Sequence, residues 1–252
     1  MFRLYFGLLA LCQAAWSTPV FQPLGQTADY AEADYQGVRY GLVKASPEAV
    51  SLLWRNAAGT AYRSLGAAHD ALKAQGKRAL MLMNAGIFTT AQAPAGLWIE
   101  QGHTVVALNR NKGQGNFHIQ PNGVFSVRNG KARIDTTDAW AKRAAKADYA
   151  VQSGPMLLIA GNINSRFVKD LSSPYKRNAV CTTREGELLF VMTLDYEQEW
   201  PSFYRLAQAL QSFGCYQALY LDGSISSWFV RGKSGTFHWS NFAGIIAVTD
   251  TP

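Results

Sequence analysis

A short apolar run near the end of the chain stops abruptly at an Asp-Gly pair. Residues 217–221 are Gln-Ala-Leu-Tyr-Leu, and Asp222 and Gly223 follow before the chain continues as Ser-Ile-Ser-Ser. The run predicts a buried strand, and Gly223 lets the backbone bend sharply at its end because glycine has no Cβ. The pattern predicts that Asp222 lies at the rim of a sheet, beside the hydroxyls of Ser224 and Ser226. An ordinary Asp-Gly turn is the alternative interpretation.

Two other apolar runs have polar, glycine-containing segments of the same type. Residues 79–83 are entirely apolar and are followed by Asn84 and Gly86. Residues 149–159 form another apolar run, which is interrupted by Gln-Ser-Gly-Pro at positions 152–155. A Gly-Pro pair and polar groups within a strand cost ladder hydrogen bonds, so the interruption indicates a site. For Asn84 the alternative is an amide that only stabilises its own turn.

The rest of the chain is typical of short strands joined by turns. Two hairpins are predicted, with turns at residues 101–102 and 129–130. The predicted helices are 64–74, capped by Ser64 and ended by Gly76; 138–148; and 201–213, with Pro201 in its first turn. Further strands are expected at 38–43, 50–54, 176–181, 188–194 and 244–248. These patterns predict an α+β fold, a single sheet-rich domain with a mixed sheet and a few helices.

The composition supports one large folded domain. The chain has 252 residues, of which 48% are hydrophobic and 16% are charged, so it can bury an ample core and disorder is not expected. The formal net charge is +7. Its Lys and Arg residues are scattered, whereas nucleic-acid binding concentrates them on one face, so no nucleic-acid partner is expected.

The first residues have the pattern of an export signal. Arg3 is followed by the apolar run 4–12, and small residues occupy positions 15 and 17. Cleavage is therefore expected after Ser17, which leaves a domain of residues 18–252. The run is too short to span a bilayer comfortably. We expect an exported protein, periplasmic or secreted, with no stable membrane insertion after cleavage.

Two cysteines, Cys181 and Cys215, remain after removal of this signal. In an oxidising compartment they could form one disulfide, and two free buried thiols are the alternative. Neither cysteine has the Cys-x-x-Cys or Cys/His spacing of a zinc site.

Four of the polar stretches occur in an order that resembles a known family. They are Asn-Ala-Gly-Ile-Phe at 84–88, Gln-Ser-Gly-Pro-Met-Leu at 152–157, Arg-Asn-Ala-Val at 177–180 and Leu-Asp-Gly-Ser-Ile-Ser at 221–226. Together they resemble the phosphodiester glycosidase family, which includes a lysosomal enzyme that removes N-acetylglucosamine from a phosphodiester and many exported bacterial proteins. The resemblance extends from about residue 37 to residue 248. The last motif departs from the family's usual Asp-Gly-Gly-Gly-Ser, because Ile225 makes it bulkier.

The resemblance implies a hydrolase that cleaves a sugar-1-phosphodiester in envelope or exopolysaccharide glycan metabolism. Phosphate is a good leaving group, so the reaction requires a cation for the phosphate and a carboxylate for water or for the developing positive charge. Arg177 would bind the phosphodiester, since a guanidinium matches two oxygens at once. Asp222 would be the base or nucleophile. His118 is a candidate proton donor, and Asp195 is the reserve carboxylate.

A larger set of residues would position the substrate. These residues are Asn84, Gly86, Gln152, Ser153, Gly154, Asn178, Gly223, Ser224 and Ser226. A divalent cation would suit Asp222, Asp195 and Asn84, although no ligand spacing requires one, and no other cofactor is expected.

Two functions from other classes compete with this interpretation. A non-catalytic envelope protein could bind polysaccharide or peptidoglycan by stacking sugars on some of the seven Trp and eleven Tyr residues, although most aromatics are core. A serine hydrolase could use Ser224 with His118 or His238. The chain lacks the Gly-x-Ser-x-Gly turn that presents such a serine between a strand and a helix.

Overall fold

The computed structural model describes residues 18–144, 146–169, 172–223, 225–234 and 241–250. The expected signal peptide, Ser224 and His238 lie outside these ranges. The three helices within them are α1 (Leu65–Ala74), α2 (Thr137–Arg143) and α3 (Phe203–Ser212). The strands are β1 (Gln22–Pro23), β2 (Ala28–Tyr35), β3 (Val38–Ala45), β4 (Val50–Leu53), β5 (Arg78–Asn84), β6 (Trp98–Glu100), β7 (His103–Val106), β8 (Gly123–Arg128), β9 (Lys131–Thr136), β10 (Tyr149–Ser153), β11 (Met156–Ile159), β12 (Asn162–Ile163), β13 (Ser172–Ser173), β14 (Asn178–Thr183), β15 (Leu188–Tyr196), β16 (Trp200–Pro201), β17 (Cys215–Tyr220), β18 (Trp228–Val230) and β19 (Ile245–Asp250).

The strands form three main sheets and one small ribbon. The largest sheet has eight strands in the order β1-β2-β3-β15-β14-β17-β11-β12. A five-stranded sheet has the order β7-β6-β10-β8-β9, and a four-stranded sheet has the order β18-β5-β19-β4. Strands β13 and β16 pair as a separate two-stranded ribbon. The prediction of a sheet-rich α+β fold is confirmed.

The strand pairing among the described residues is antiparallel throughout, so the expectation of a mixed sheet is corrected. The reason is that each of two helix-containing connections joins two strands of one sheet that have another strand between them. Strand β14 lies between β15 and β17, which α3 connects, and β19 lies between β4 and β5, which α1 connects. The connected strands are therefore parallel to each other but are not neighbours.

Alternating side chains along the strands build a layered core. In β17, Leu219 belongs to the central apolar cluster, whereas Ala218 and Tyr220 belong to a cluster on the opposite face. In β5, Met81 and Met83 point into the same central cluster, and Leu82 points away from it. This period of two places the core between the eight-stranded sheet and the other two sheets.

One helix covers the outer face of each main sheet. Leu206 and Leu210 of α3 pack on the eight-stranded sheet, and Leu65 and Leu72 of α1 pack on the four-stranded sheet. Trp140 of α2 packs on the five-stranded sheet. Among the described residues, none of the helices has the length and apolar character needed to cross a membrane.

Both predicted hairpins are present, and their turns have left-handed backbone angles. The φ angles are 49° at Gln101 and 80° at Gly102, and they are 48° at Asn129 and 68° at Gly130. Two-residue turns of this kind match the right-handed twist of the flanking strands, which is why Asn-Gly is a strong hairpin signal.

Two predicted helices have different bounds in the structure. Helix α2 ends at Arg143 instead of extending to Asp148, because Ala144 adopts a left-handed φ of 45° and Asp148 is hydrogen-bonded to the β8–β9 hairpin. Helix α3 begins at Phe203 after the cap residue Ser202, whose hydroxyl accepts a hydrogen bond from the backbone of Arg205. Pro201 is therefore not in its first turn. Helix α1 has the predicted Ser64 cap.

A disulfide joins Cys181 of β14 to Cys215 of β17, across a sequence separation of 34 residues. Both residues are buried in the cluster beneath α3. The bond closes a loop that includes β15, β16 and α3, so it restricts the unfolded chain more than a disulfide across a short loop would.

Replacing both cysteines by serine is expected to lower the free energy of unfolding by about 2–4 kcal/mol, because the unfolded chain regains the entropy of the open loop. Chemical denaturation of the oxidised wild type and of the double variant measures the difference. A reductant should shift the wild type toward the variant and leave the variant itself unchanged. Equal stabilities under oxidising conditions would contradict this prediction.

Asp250, at the end of β19, connects two layers of the fold. Its buried carboxylate accepts hydrogen bonds from the backbone of Gln26, from the Thr27 hydroxyl at 2.5 Å and from Arg78 at 2.9 Å. Burial alone would raise the pKa of Asp250, but these hydrogen bonds outweigh it and hold the pKa below its ordinary value of 3.8.

Because the folded-state pKa of Asp250 is lowered, its ionised carboxylate stabilises the fold above about pH 4, and this contribution is lost as the pH falls through the folded-state pKa. The Asp250→Asn variant should therefore be less stable than the wild type at pH 7, by a margin that shrinks on acidification. Denaturation curves at several pH values measure this margin. The exposed Asp138→Asn is the matched control, and a margin independent of pH would contradict the prediction.

Candidate active site

Four strand ends converge at one edge of the central core. Strand β5 ends at Asn84, β10 ends at Ser153, β14 begins at Asn178 and β17 ends immediately before Leu221 and Asp222. These strands belong to all three main sheets. Their shared edge brings together polar groups that are up to 143 residues apart in the sequence.

Two buried asparagines form the connection between these strand ends. Asn178 accepts a hydrogen bond from the backbone N–H of Asp222 at 3.0 Å and donates one to Oδ1 of Asn84 at 3.1 Å. Asn84 donates to the backbone carbonyl of Asp222 at 3.0 Å and accepts from the backbone of Ser227 at 3.0 Å. We call Asn84 and Asn178 the amide frame. Their exposed fractions are 1% and 0%, so each lost bond would leave a buried polar group unpaired.

The amide frame holds Asp222 by its backbone. Its N–H and its carbonyl are both bound by asparagine side chains, and the carbonyl also accepts a hydrogen bond from the Ser226 hydroxyl at 3.0 Å. The preceding carbonyl, of Leu221, accepts one from the Ser153 hydroxyl at 2.7 Å. This leaves the half-buried Asp222 side chain outside the frame, at the rim of the sheet as the sequence predicts.

Arg177 lies one residue before β14 and is almost completely buried, with an exposed fraction of 6%. Its guanidinium donates to the carbonyl of Pro201 at 3.2 Å, to the Tyr220 hydroxyl at 3.1 Å and to the Ser173 hydroxyl at 2.6 Å. It also lies over the ring of Phe203, 4.3 Å from the centroid. These three acceptors are uncharged, so they orient the guanidinium without neutralising it.

Tyr220 joins the arginine to the Asp-Gly turn. Burial raises the pKa of its hydroxyl, the positive charge of Arg177 lowers it and the negative charge of Asp222 raises it, and the net direction is upward. The Tyr220 hydroxyl therefore lies in the fields of both charges. Tyr220 is not among the site residues predicted from the sequence. Its place in the apolar run 217–221 could have indicated a role, because a buried tyrosine hydroxyl requires a hydrogen-bond partner.

Gly223 is required by close packing. A Cβ at this position would lie 2.0 Å from the Tyr220 hydroxyl oxygen and 2.6 Å from the carbonyl oxygen of Lys176. Any larger residue would push the turn away from the arginine side of the site. Gly86 and Gly154 have a similar role, because a Cβ would lie 2.9 Å from a backbone carbonyl oxygen in each case.

Gln152 has surroundings that favour a framework role over the substrate contact predicted from the sequence. Its Oε1 accepts hydrogen bonds from the backbones of Leu97 and Asn109, at 3.0 and 2.9 Å. Its Nε2 donates to the carbonyl of Asn109 and to the Thr137 hydroxyl. The side chain is 1% exposed, and its amide connects β10 to the 95–109 segment. Ser153, with an exposed fraction of 0%, is equally enclosed.

The other two candidate catalytic residues lie apart from the amide frame. Asp195 is on the exposed end of β15, with 67% of its side chain accessible, and it pairs with Arg39 at 3.5 Å. His118 contacts the carbonyl of Asn111 through Nδ1 at 3.0 Å. Among the described residues, no hydrogen bond or ion pair connects either side chain to Asp222 or Arg177. Their catalytic roles stay predictions from the sequence.

The proposed cation ligands are not assembled by the described part of the chain. Asp195 pairs with Arg39, and the Asn84 amide is engaged by the backbones of Asp222 and Ser227 and by Asn178. Within the described ranges, no three His, Cys, Asp or Glu side chains are close enough together to hold a metal ion.

Ile225, the departure in the last motif, packs away from the charged groups. Its side chain is partly buried against the cluster formed by Leu65, Phe242 and their neighbours beneath α1. The bulkier residue thus attaches the turn to the four-stranded sheet side of the core.

Comparisons with known proteins agree with this arrangement of motifs. The family model described as phosphodiester glycosidase matches residues 77–246. The uncharacterized protein YigE of Escherichia coli (strain K12) is 36% identical over 208 residues, which are 82% of this chain and 79% of YigE.

Solved structures share the fold at low sequence identity. The zebrafish N-acetylglucosamine-1-phosphodiester alpha-N-acetylglucosaminidase catalytic domain, auto-inhibited by pro-peptide, has a TM-score of 0.56 and 16% identity, over 94% of this chain and 82% of that one. A hypothetical protein from Synechocystis has a TM-score of 0.59 and 16% identity, over 92% of this chain and 64% of that one. The matched model covers more than half of the sequence and includes Asn84, Arg177 and Asp222, and the chain therefore belongs to the phosphodiester glycosidase family.

Proposed function

We propose that this protein is an exported hydrolase that cleaves a sugar-1-phosphodiester in envelope or exopolysaccharide glycan metabolism. The family supports a glycosidase-type activity, and the zebrafish neighbour is named for action on an N-acetylglucosamine-1-phosphodiester. The observation that carries the proposal is that Asp222 is held by its backbone, next to Gly223, which packs on the same Tyr220 hydroxyl that the buried Arg177 binds.

In this proposal the bond between the anomeric carbon and a phosphate oxygen breaks, and the phosphate leaves with the bonding electron pair. Asp222 acts either as the nucleophile, which forms a glycosyl ester that water then hydrolyses, or as the base that takes a proton from the water attacking the anomeric carbon. In both cases its negative charge stabilises the positive charge that develops on the sugar. A carboxylate fixed by its backbone needs little rearrangement during the reaction, which is the basis of electrostatic preorganisation.

Arg177 is assigned to the phosphate. Within the described part of the chain, Pro201, Tyr220 and Ser173 engage three of the five N–H donors of this guanidinium, which leaves two for phosphate oxygens. Its charge is surrounded by uncharged acceptors and aromatic rings, so it acts in a region of low dielectric, where it attracts an anion more strongly than it would in water.

The disulfide supports the export part of the proposal. Disulfides persist in oxidising compartments and are rare in reducing ones, and Cys181 and Cys215 are paired in this fold. Together with the signal-like pattern of residues 1–17, this favours a periplasmic or secreted location.

The central prediction concerns Asp222→Asn. Turnover of the mature protein is measured on a panel of sugar-1-phosphodiesters with different sugars, and kcat/KM of the variant is expected to fall roughly 10²–10⁴-fold. The fold should be retained, because the amide frame binds the backbone of residue 222, which is present in the variant as well.

Two further variants make this test specific. Asp138→Asn removes an exposed carboxylate on α2 and should leave turnover unchanged. Asp195→Asn tests the reserve carboxylate, and a loss of turnover there but not in Asp222→Asn would contradict the assignment. Absence of turnover on every substrate, with glycan binding intact in both wild type and Asp222→Asn, would favour the non-catalytic binding protein.

A further inference from the structure

A groove lies beside the ribbon of β13 and β16, outside the catalytic residues described above. Its volume is about 580 Å³, and its lining includes Ser172, Tyr196, Gln198, Glu199 and Trp200. This volume is in the range of roughly 300–1,000 Å³ that is typical of small-molecule sites. None of these residues is used by the amide frame or is assigned a role in the proposed reaction.

Two aromatic rings form one wall of the groove. The ring centroids of Tyr196 and Trp200 are 4.3 Å apart, with an interplanar angle of 54°. Tyr196 is 42% exposed, so its ring is accessible to a ligand in the groove. Lys176 holds its ammonium 5.5 Å from the Trp200 ring centroid and so helps to fix that ring. Tyrosine and tryptophan at a wet site present an apolar face together with a polar end.

Apart from Pro174, the remaining lining is polar and suits hydroxyl groups. Glu199 supplies a carboxylate, Gln198 an amide and Ser172 a hydroxyl, so the groove offers both donors and acceptors. The Glu199 carboxylate and the Lys176 ammonium beside Trp200 have opposite charges, so the groove favours neither an anion nor a cation. The aromatic faces match the C–H face of an uncharged sugar ring, and the polar side chains beside them match its hydroxyl groups.

The groove is attached to the active site through the ribbon. The Ser173 hydroxyl accepts a hydrogen bond from Arg177 at 2.6 Å and another from the backbone of Tyr175 at 3.2 Å. Ser173 pairs with Trp200 across the ribbon, and the next carbonyl, of Pro201, accepts from Nε of Arg177. One face of the ribbon thus fixes the guanidinium, and the same ribbon supplies Ser173 and Trp200 to the groove lining.

We propose that this groove is an accessory carbohydrate-binding site, which takes an uncharged sugar residue of a glycan chain. It goes beyond the hydrolysis proposed above, because its aromatic wall and its carboxylate bind sugar without acting on a phosphodiester. A glycan held there would lie next to the arginine assigned to the phosphate, which would raise the local concentration of polymeric substrate at Asp222.

The test measures binding of neutral oligosaccharides to the mature protein. The probes are chitohexaose, cellohexaose and maltohexaose, none of which contains phosphate, and calorimetry gives the dissociation constants. At least one probe should bind, and Trp200→Ala should weaken it about tenfold, as expected for the loss of one aromatic face. Glu199→Gln, which keeps the side-chain shape, should weaken binding severalfold. The matched control is Tyr216→Ala, which changes a tyrosine near the start of β17 that does not line the groove. This variant should bind the probes normally.

Three results would overturn the proposal: no binding of any probe, binding that Trp200→Ala and Glu199→Gln leave unchanged, or stronger binding of oligogalacturonate than of the neutral probes. If Trp200→Ala loses its native circular dichroism, Tyr196→Ala and Glu199→Gln decide the outcome. Because the probes contain no phosphodiester, failure of the catalytic proposal would abolish turnover without changing these affinities. Failure of the accessory site would leave turnover of small phosphodiesters intact.

Discussion

The hydrogen bond that the buried Asn178 side chain donates to the buried Asn84 side chain is the interaction on which the rest of the site depends. Asn84 comes from the four-stranded sheet and Asn178 from the eight-stranded sheet, and the amide of one donates to the carbonyl of the other. Both then bind the backbone of Asp222. A net hydrogen bond contributes about 1 kcal/mol, but a buried polar group left unpaired costs about 1–3 kcal/mol. These hydrogen bonds therefore stabilise the arrangement of the two sheets that places Asp222 at their shared edge.

Separate groups provide rigidity and chemistry in this site. The glycines and the buried amides form a packed support, in which Gly223 allows the Tyr220 hydroxyl to reach both the turn and Arg177. The amide frame holds Asp222 through its backbone, so this support does not depend on the Asp222 carboxylate. Arg177, by contrast, also fixes the β13–β16 ribbon through Ser173 and Pro201. That double attachment couples the geometry of the ribbon to the position of the guanidinium.

Much of this arrangement could be predicted from the sequence, because local patterns dictate it. The apolar run before Asp222, the hairpin at Asn129–Gly130 and the Ser64 cap depend on period, turn chemistry and side-chain hydrogen bonds that are read within a few residues. The choice of partners across sheets could not be predicted in this way. That Asn84 bonds to Asn178, or that Tyr220 bonds to Arg177, is decided by tertiary packing between segments 94 and 43 residues apart.

A crystal structure of Asp222→Asn with an intact sugar-1-phosphodiester bound tests the roles assigned to Asp222 and Arg177 most directly. We expect the phosphate oxygens to contact Arg177 and the anomeric carbon to face the side chain of residue 222, directly or across one water molecule. Reacting groups in productive complexes approach within about 3–3.5 Å, which sets the scale for that contact. A ligand bound with its phosphate away from Arg177, or with its anomeric carbon turned toward another carboxylate, would contradict the roles assigned to Arg177 and Asp222.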